Sequence, residues 1–144
     1  MSNCFIATIP GIPRPQGSLK IMTSATTGRA FARNSDTTVA HRNLVVGVLA
    51  EAWQDDPLDV PVQLETWFYL PRPKSHYGTG RNADVLKPSA PAVPTTKPDL
   101  DKMLRLVGDA MSVAGVVRDD SVIATAHAYK RYSHLPRTVV TVSW

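Results

Sequence analysis

The sequence predicts a mixed β-sheet packed by two main helices, an α/β fold with α+β as its near neighbour. Two stretches carry apolar residues at helical spacing, and four others read as β-strands. At 144 residues the chain is long enough for one core, so residues 1–144 form one domain.

Cys4 to Ile9 is a short β-prone segment, and Pro10, Pro13 and Pro15 then force an extended path to Gly17. Ser18 to Met22 and Arg29 to Arg33 flank Thr26-Thr27-Gly28, the signature of a hairpin turn. Lys20, Arg29 and Arg33 decorate that hairpin, either as a solvated edge or as phosphate contacts. Ser35 or Asp36 caps the first helix. Val45, Val48, Leu49, Ala52 and Trp53 are its core face, with His41 and Arg42 off that face. Asp55-Asp56-Pro57 ends it, and Val60 to Leu70 is a strand with Trp67 and Tyr69 on one side.

Residues 71–96 hold five prolines, four basic residues (Arg72, Lys74, Arg81, Lys87) and one acid, Asp84, with no apolar periodicity. That composition predicts a long loop without elements of its own, a basic arm that tracks a polyanion, with Tyr77, Gly78 and Gly80 letting it bend. Leu100, Met103, Leu104, Val107 and Met111 mark the second helix, with Asp99 as N-cap and Gly115 as stop. Val116 to Arg131 reads as a strand whose alanines 124, 126 and 128 leave room for a helix, and Val139 to Trp144 is the last strand.

Net charge is +4 and the pI is about 9.5, which favours an anionic partner. The single cysteine, Cys4, excludes an internal disulfide and a cysteine-based zinc site. No apolar run approaches a membrane span and no signal peptide is visible, so the expected location is the cytoplasm, with no membrane partner. No helix-turn-helix or zinc-finger pattern is present, so base-specific readout is not indicated.

Against this basic background the acids are unevenly spread. Five of the twelve (Asp99, Asp101, Asp109, Asp119, Asp120) lie within residues 97–121. A helix opening at Asp99 and a return into a strand at Asp119 bring the two ends of this stretch together. Carboxylates so gathered repel one another unless a cation or a basic side chain neutralises them, and hard divalent cations such as Mg²⁺ take such ligands.

The stretch resembles the catalytic region of the RusA-type Holliday-junction resolvases, in particular the phage and prophage branch. Their pattern is Asp-x-Asp-Asn opening a helix, a basic residue four positions after the second Asp, a small-Gly turn, and an Asp-Asp pair before a strand. Here it stands as Asp99-Leu100-Asp101-Lys102, Arg105, Ala114-Gly115 and Asp119-Asp120. The opening Ile9-Pro10-Gly11-Ile12-Pro13-Arg14-Pro15-Gln16-Gly17-Ser18 and the later Lys130-Arg131-Tyr132 match as well. Two positions depart from the pattern: Lys102 replaces the usual Asn, and Arg105 the usual Lys.

The resemblance implies a RusA-like fold and an Mg²⁺-dependent endodeoxyribonuclease, with Mn²⁺ as a substitute. It implies paired, symmetric cleavage of four-way DNA junctions by a homodimer, in recombination, repair and the processing of branched phage DNA. Asp99, Asp101 and Asp120 are then the metal ligands and catalytic acids, with Asp119 behind them. Arg105 or Lys102 supplies the catalytic positive charge. Arg cannot give up its proton and presents a planar fork, so Arg105 suits a phosphate clamp and not a proton donor. Asp109 has a plainer reading, an ion pair with Arg105 one turn away. Lys20, Arg72, Lys74, Arg81, Lys87, Lys130 and Arg131 are the expected DNA contacts. Two alternatives use the same residues: a branched-DNA-binding protein without catalysis, and a nuclease that prefers flaps or simple branches.

Overall fold

The computed structural model describes residues 3–17, 20–33 and 36–144. Six strands and two helices follow in chain order: β1 (Cys4–Pro10), β2 (Lys20–Thr23), β3 (Ala30–Arg33), α1 (Asp36–Ala52), β4 (Val62–Leu70), α2 (Leu100–Ala114), β5 (Ile123–Tyr132) and β6 (Arg137–Ser143). The main sheet has the order β1-β6-β4-β5, and β2 and β3 form a separate hairpin. β6 runs antiparallel to β1 and β4, whereas β5 runs parallel to β4. Parallel neighbours need a crossover, and residues 71–96 together with α2 supply it. The sheet is therefore mixed, and the fold is α+β.

Strict alternation in β4 buries Val62, Leu64, Thr66, Phe68 and Leu70 on one face. Ala7 and Ile9 of β1 and Val140 and Val142 of β6 join that face in one core with Val45 and Leu49 of α1 and Trp53 just after it. α2 contributes Met103, Leu106, Val107, Ala110 and Met111, so its buried stripe is turned relative to the expected one. Leu106 and Ala110 replace Leu100 and Leu104, which are only half-buried. On α1, Ala52 is exposed, and His41 is half-buried instead of lying clear of the core. Burial and the nearby Arg14 charge lower the His41 pKa.

The opposite face of the sheet carries an aromatic ladder. Trp67 stacks on Tyr129 at 4.1 Å and on Tyr69 at 6.4 Å between ring centroids. Arg131 covers Trp67 at 5.2 Å and Arg137 covers Tyr69 at 3.9 Å. These rings spend their faces on one another and on guanidinium groups.

Three expectations change. Residues 71–96 are not a structureless arm: 3₁₀ turns form at Lys74–His76 and Gly80–Asn82, and Tyr77 bridges Leu86. The Gly78 amide donates to the Val85 carbonyl (3.0 Å) and the Lys87 amide to that of His76 (2.9 Å). A Cβ at Gly78 would meet Asn82 at 2.8 Å, so that glycine is required by packing. Composition hid this because irregular turns leave no periodic trace. Second, Val116 to Asp119 are not strand residues; the chain makes a 3₁₀ turn at Asp120–Val122 before β5 begins. Third, β6 starts at Arg137, two residues earlier than expected. Ser18 and Ser35 lie outside the described residues, as do the side chains of Lys20, Arg33 and Asp36.

Candidate active site

α2 positions the first acids. Asp99 stands at its N-cap with extended backbone, but its carboxylate makes no capping bond. It lies 3.2 Å from Lys102 Nζ, with both side chains close to half exposed. The capping role expected of Asp99 is thus replaced by an i,i+3 ion pair. Asp101, Arg105 and Asp109 follow at one-turn intervals, which places them along one stripe of the helix.

The far end of α2 sets the second group. Gly115 takes the left-handed conformation (φ 79°), and its amide reaches the carbonyls of Met111 and Ser112. The next residues are held by a distant segment. Leu58 donates to the Val116 carbonyl and accepts from the Arg118 amide, both at 2.9 Å, and Arg118 Nε reaches Asp59 Oδ1 at 2.6 Å. These bonds turn Asp119 and Asp120 back toward the helix. Asp119 Oδ1 accepts the Ser121 amide at 2.8 Å and so caps the 3₁₀ turn.

The result is an open cleft of about 300 Å³ between α2 and the start of β5. Asp101, Arg105, Asp109 and Asp120 line it, over a floor that includes Leu64, Ile123 and Ala126. Gly108, which has no side chain, and the small Ala126 also line it. The sequence thus brings Asp101, Asp120 and Arg105 together as expected. Asp99 and Lys102 instead open on a neighbouring hollow with Pro15, Gly17, Lys97 and Pro98.

The charges in the cleft are uneven. Hydrogen bonds from the Ser121 amide and hydroxyl, then from Asp120, hold the Asp119 carboxyl below its ordinary range. Asp120 is pushed up, first by its hydrogen bond to Asp119, then by desolvation and by the charges of Asp119 and Asp109. A shared proton is what two adjoining carboxylates adopt without a cation. Among the described residues no ion pair joins Arg105 to Asp101 or Asp109. The pairing expected for Asp109 is therefore not made, and Asp109 faces the cleft as a further acid. Its spacing from Asp101 and Arg105 was the available signal.

The N-terminal motif also reaches this region. The Gln16 amide donates to the Lys102 carbonyl at 3.0 Å, tying the extended segment to the first turn of α2. Gln16 Oε1 is buried without a hydrogen-bond partner among the described residues.

The cleft can hold a phosphodiester beside hard oxygen donors, with a guanidinium free to meet it. A profile of the family described as Endodeoxyribonuclease RusA matches residues 10–143. The chain belongs to that family. RusA enzymes are endodeoxyribonucleases that resolve Holliday junctions, and this protein is one by descent. The RusA match takes in both acid groups, Arg105, residues 71–96 and nearly all of the N-terminal motif. The chain is also similar to "Uncharacterized protein YqaN" of Bacillus subtilis (strain 168). The two are 26% identical over 144 residues, which cover 97% of this chain and 96% of that protein.

Proposed function

We propose that this RusA-family protein resolves four-way DNA junctions by Mg²⁺-dependent hydrolysis, with Mn²⁺ able to substitute, through paired symmetric cuts made by a homodimer. The observation that carries the reading is the cleft in which Asp101 and Asp120 face Arg105, which makes no ion pair among the described residues. The donors are carboxylate oxygens, the set that Mg²⁺ accepts, and the mutual repulsion that raises the Asp120 carboxyl is the kind a divalent cation relieves. Among the described residues no three acids, histidines or cysteines close on one point. The cleft itself therefore fits a cation held by two carboxylates, Asp101 and Asp120, with a neighbouring carboxylate, water and substrate phosphate completing its shell.

In this reading Asp101 and Asp120 would hold the cation in the cleft, and Asp99, which pairs with Lys102 on the neighbouring hollow, would be the third ligand once freed from that pair. The bound cation supplies a more acidic water and neutralises charge on the leaving oxygen. A water oxygen attacks phosphorus, the P–O3′ bond breaks, and the products are a 5′-phosphate and a 3′-hydroxyl. Arg105 donates to the non-bridging phosphate oxygens as their charge rises. Lys102, released from Asp99, adds a second positive charge at the mouth. Asp119 keeps Asp120 oriented. Lys20, Arg72, Lys74, Arg81, Lys87, Lys130 and Arg131 are the contacts to the DNA backbone, and replication or recombination intermediates of phage type in a bacterial cytoplasm are the setting.

Substitution tests the ligand set. Asp99→Asn, Asp101→Asn and Asp120→Asn each abolish Mg²⁺-dependent cleavage and leave junction binding equal or stronger, since each removes negative charge beside phosphate. A variant that cuts at near wild-type rate removes its residue from the set.

A further inference from the structure

We infer a second nucleic-acid contact, a phosphate-binding hollow at the far end of β5 that grips a duplex arm away from the cut. The inference rests on the DNA reading above and adds a built site to it. Two adjoining hollows, of about 170 and 470 Å³, share Arg72, Tyr77, Ser133 and His134. Arg131 and Tyr132 complete the smaller one, and Asp84 stands on the wall of the larger.

Arg72 is fixed before any ligand arrives. Its guanidinium lies 4.2 Å from the centre of the Tyr132 ring. Nη1 donates to the Pro91 carbonyl at 2.7 Å and lies 3.4 Å from His76 Nδ1. Those bonds use one nitrogen and leave the rest of the fork to an anion. A stacked, braced guanidinium beside an exposed imidazole and a hydroxyl suits a phosphodiester, and its ordering cost is already met by the fold. The folded state of residues 71–96 has its use here: the Arg72–Pro91 bond and the Lys130 Nζ bond to the Thr96 carbonyl (2.6 Å) set this wall against β5.

The hollow and the cleavage cleft are strung along one strand. Ala126 lines the cleft and Tyr132 the hollow, and their registers with Leu64 and Leu70 put both on the helix side of the sheet. Six residues separate them, and ten separate Ile123 from Ser133, a span of about 20 to 33 Å at strand rise. Duplex DNA rises about 3.4 Å per base pair, so the contact falls roughly six to ten pairs from the scissile phosphate.

Arm length tests this. Junctions with 5-pair and 15-pair arms are titrated against the full chain without divalent cation, by fluorescence anisotropy. The wild type binds long arms at least tenfold more tightly. In His134→Glu and Arg72→Gln the ratio between the two arm lengths collapses toward one. His134 is exposed and makes no side-chain bond among the described residues, so its variant tests charge without removing support; thermal melting checks both. An unchanged ratio overturns the proposal. An equal loss for both arm lengths also overturns it, because it marks a diffuse charge effect. Inorganic phosphate alone is the third arm, followed by the His134 ring resonances. Saturation by phosphate with an arm-length ratio that ignores His134→Glu assigns the hollow to a free anion and overturns the proposal. If the wild type binds neither junction, the DNA reading itself falls and takes the hollow with it.

Discussion

Arg105 lies where a basic residue of the RusA pattern belongs, yet it pairs with neither acid on its own helix stripe. A bridging role on an exposed helix would be worth a few tenths of a kcal/mol. A guanidinium that meets charge as it develops on phosphate is worth several. Arg105→Ala is therefore expected to slow cleavage at least about a hundredfold, near 2.7 kcal/mol by rate arithmetic, with little change in thermal stability. Arg105→Lys retains much of the rate. Single-turnover cleavage separates the outcomes, and a normal rate for Arg105→Ala with a loss for Lys102→Ala moves the role to Lys102.

Asp119 gives a pH test with a fixed sign. A ligand must be ionised, and Asp120 has a raised pKa chiefly because of Asp119. If Asp120 is a ligand as proposed, metal binding should be lost, as pH falls, at a higher pH than an ordinary carboxylate would show. Asp119→Ala removes the largest cause and should move that acidic limb to lower pH, read by metal titration and by the carboxyl resonance of Asp120. A limb that stays in place or moves up contradicts the coupling. That Asp101, Asp120 and Arg105 meet at one cleft was legible through the RusA-like motif they belong to. Asp109 was not, because an i,i+4 pair with Arg105 offered a simpler account that the side chains do not adopt.

At the scale of elements, the site depends on how α2 ends. Gly115 sits at φ 79° with open space around its Cβ direction, so substitution there costs conformation alone. Gly115→Ala is expected to destabilise the protein by about 1 kcal/mol, and Gly115→Asn by less, measured by denaturant unfolding. The stop at Gly115 was readable from the sequence, and so were both helices and the strand order in the chain. The turn at Asp120–Val122 was not, because Val116 and Val117 look β-prone locally. Val117 does pair, in an isolated parallel bridge with Leu58 about sixty residues earlier, but the pairing stops at that one residue and the chain turns before β5. Residues 71–96 did not show their order because it rests on scattered single contacts, such as Gly78 to Val85, Arg72 to Pro91 and Lys130 to Thr96, and not on a repeating ladder. Asp59 and Arg118 are both well exposed, so their pair aims the turn with little bearing on stability.

Across the whole molecule, a net charge of +4 is modest, and where it sits matters more than its size. Residues 71–96 carry four basic groups on a folded wall instead of a free arm. Replacing Arg72, Lys74, Arg81 and Lys87 together by Ala should weaken junction binding and flatten its salt dependence, since fewer counterions are released. An unchanged slope means that this wall does not meet DNA. The proposed cleavage cleft occupies one face of one chain, while the proposed symmetric resolution needs two such clefts. Light scattering of the free protein and of its junction complex should therefore report a dimer.

The acid cleft is proposed to cut branched DNA with the help of a divalent cation. The direct measurement is a panel of four-way, three-way, flap and linear duplex DNA, each incubated with and without Mg²⁺ and resolved on sequencing gels. Paired, symmetric cuts in the four-way junction, dependent on Mg²⁺ and absent from Asp101→Asn, are the predicted result. Junction binding without cuts in Mg²⁺ or Mn²⁺, or cutting of linear duplex at the same rate, would contradict it.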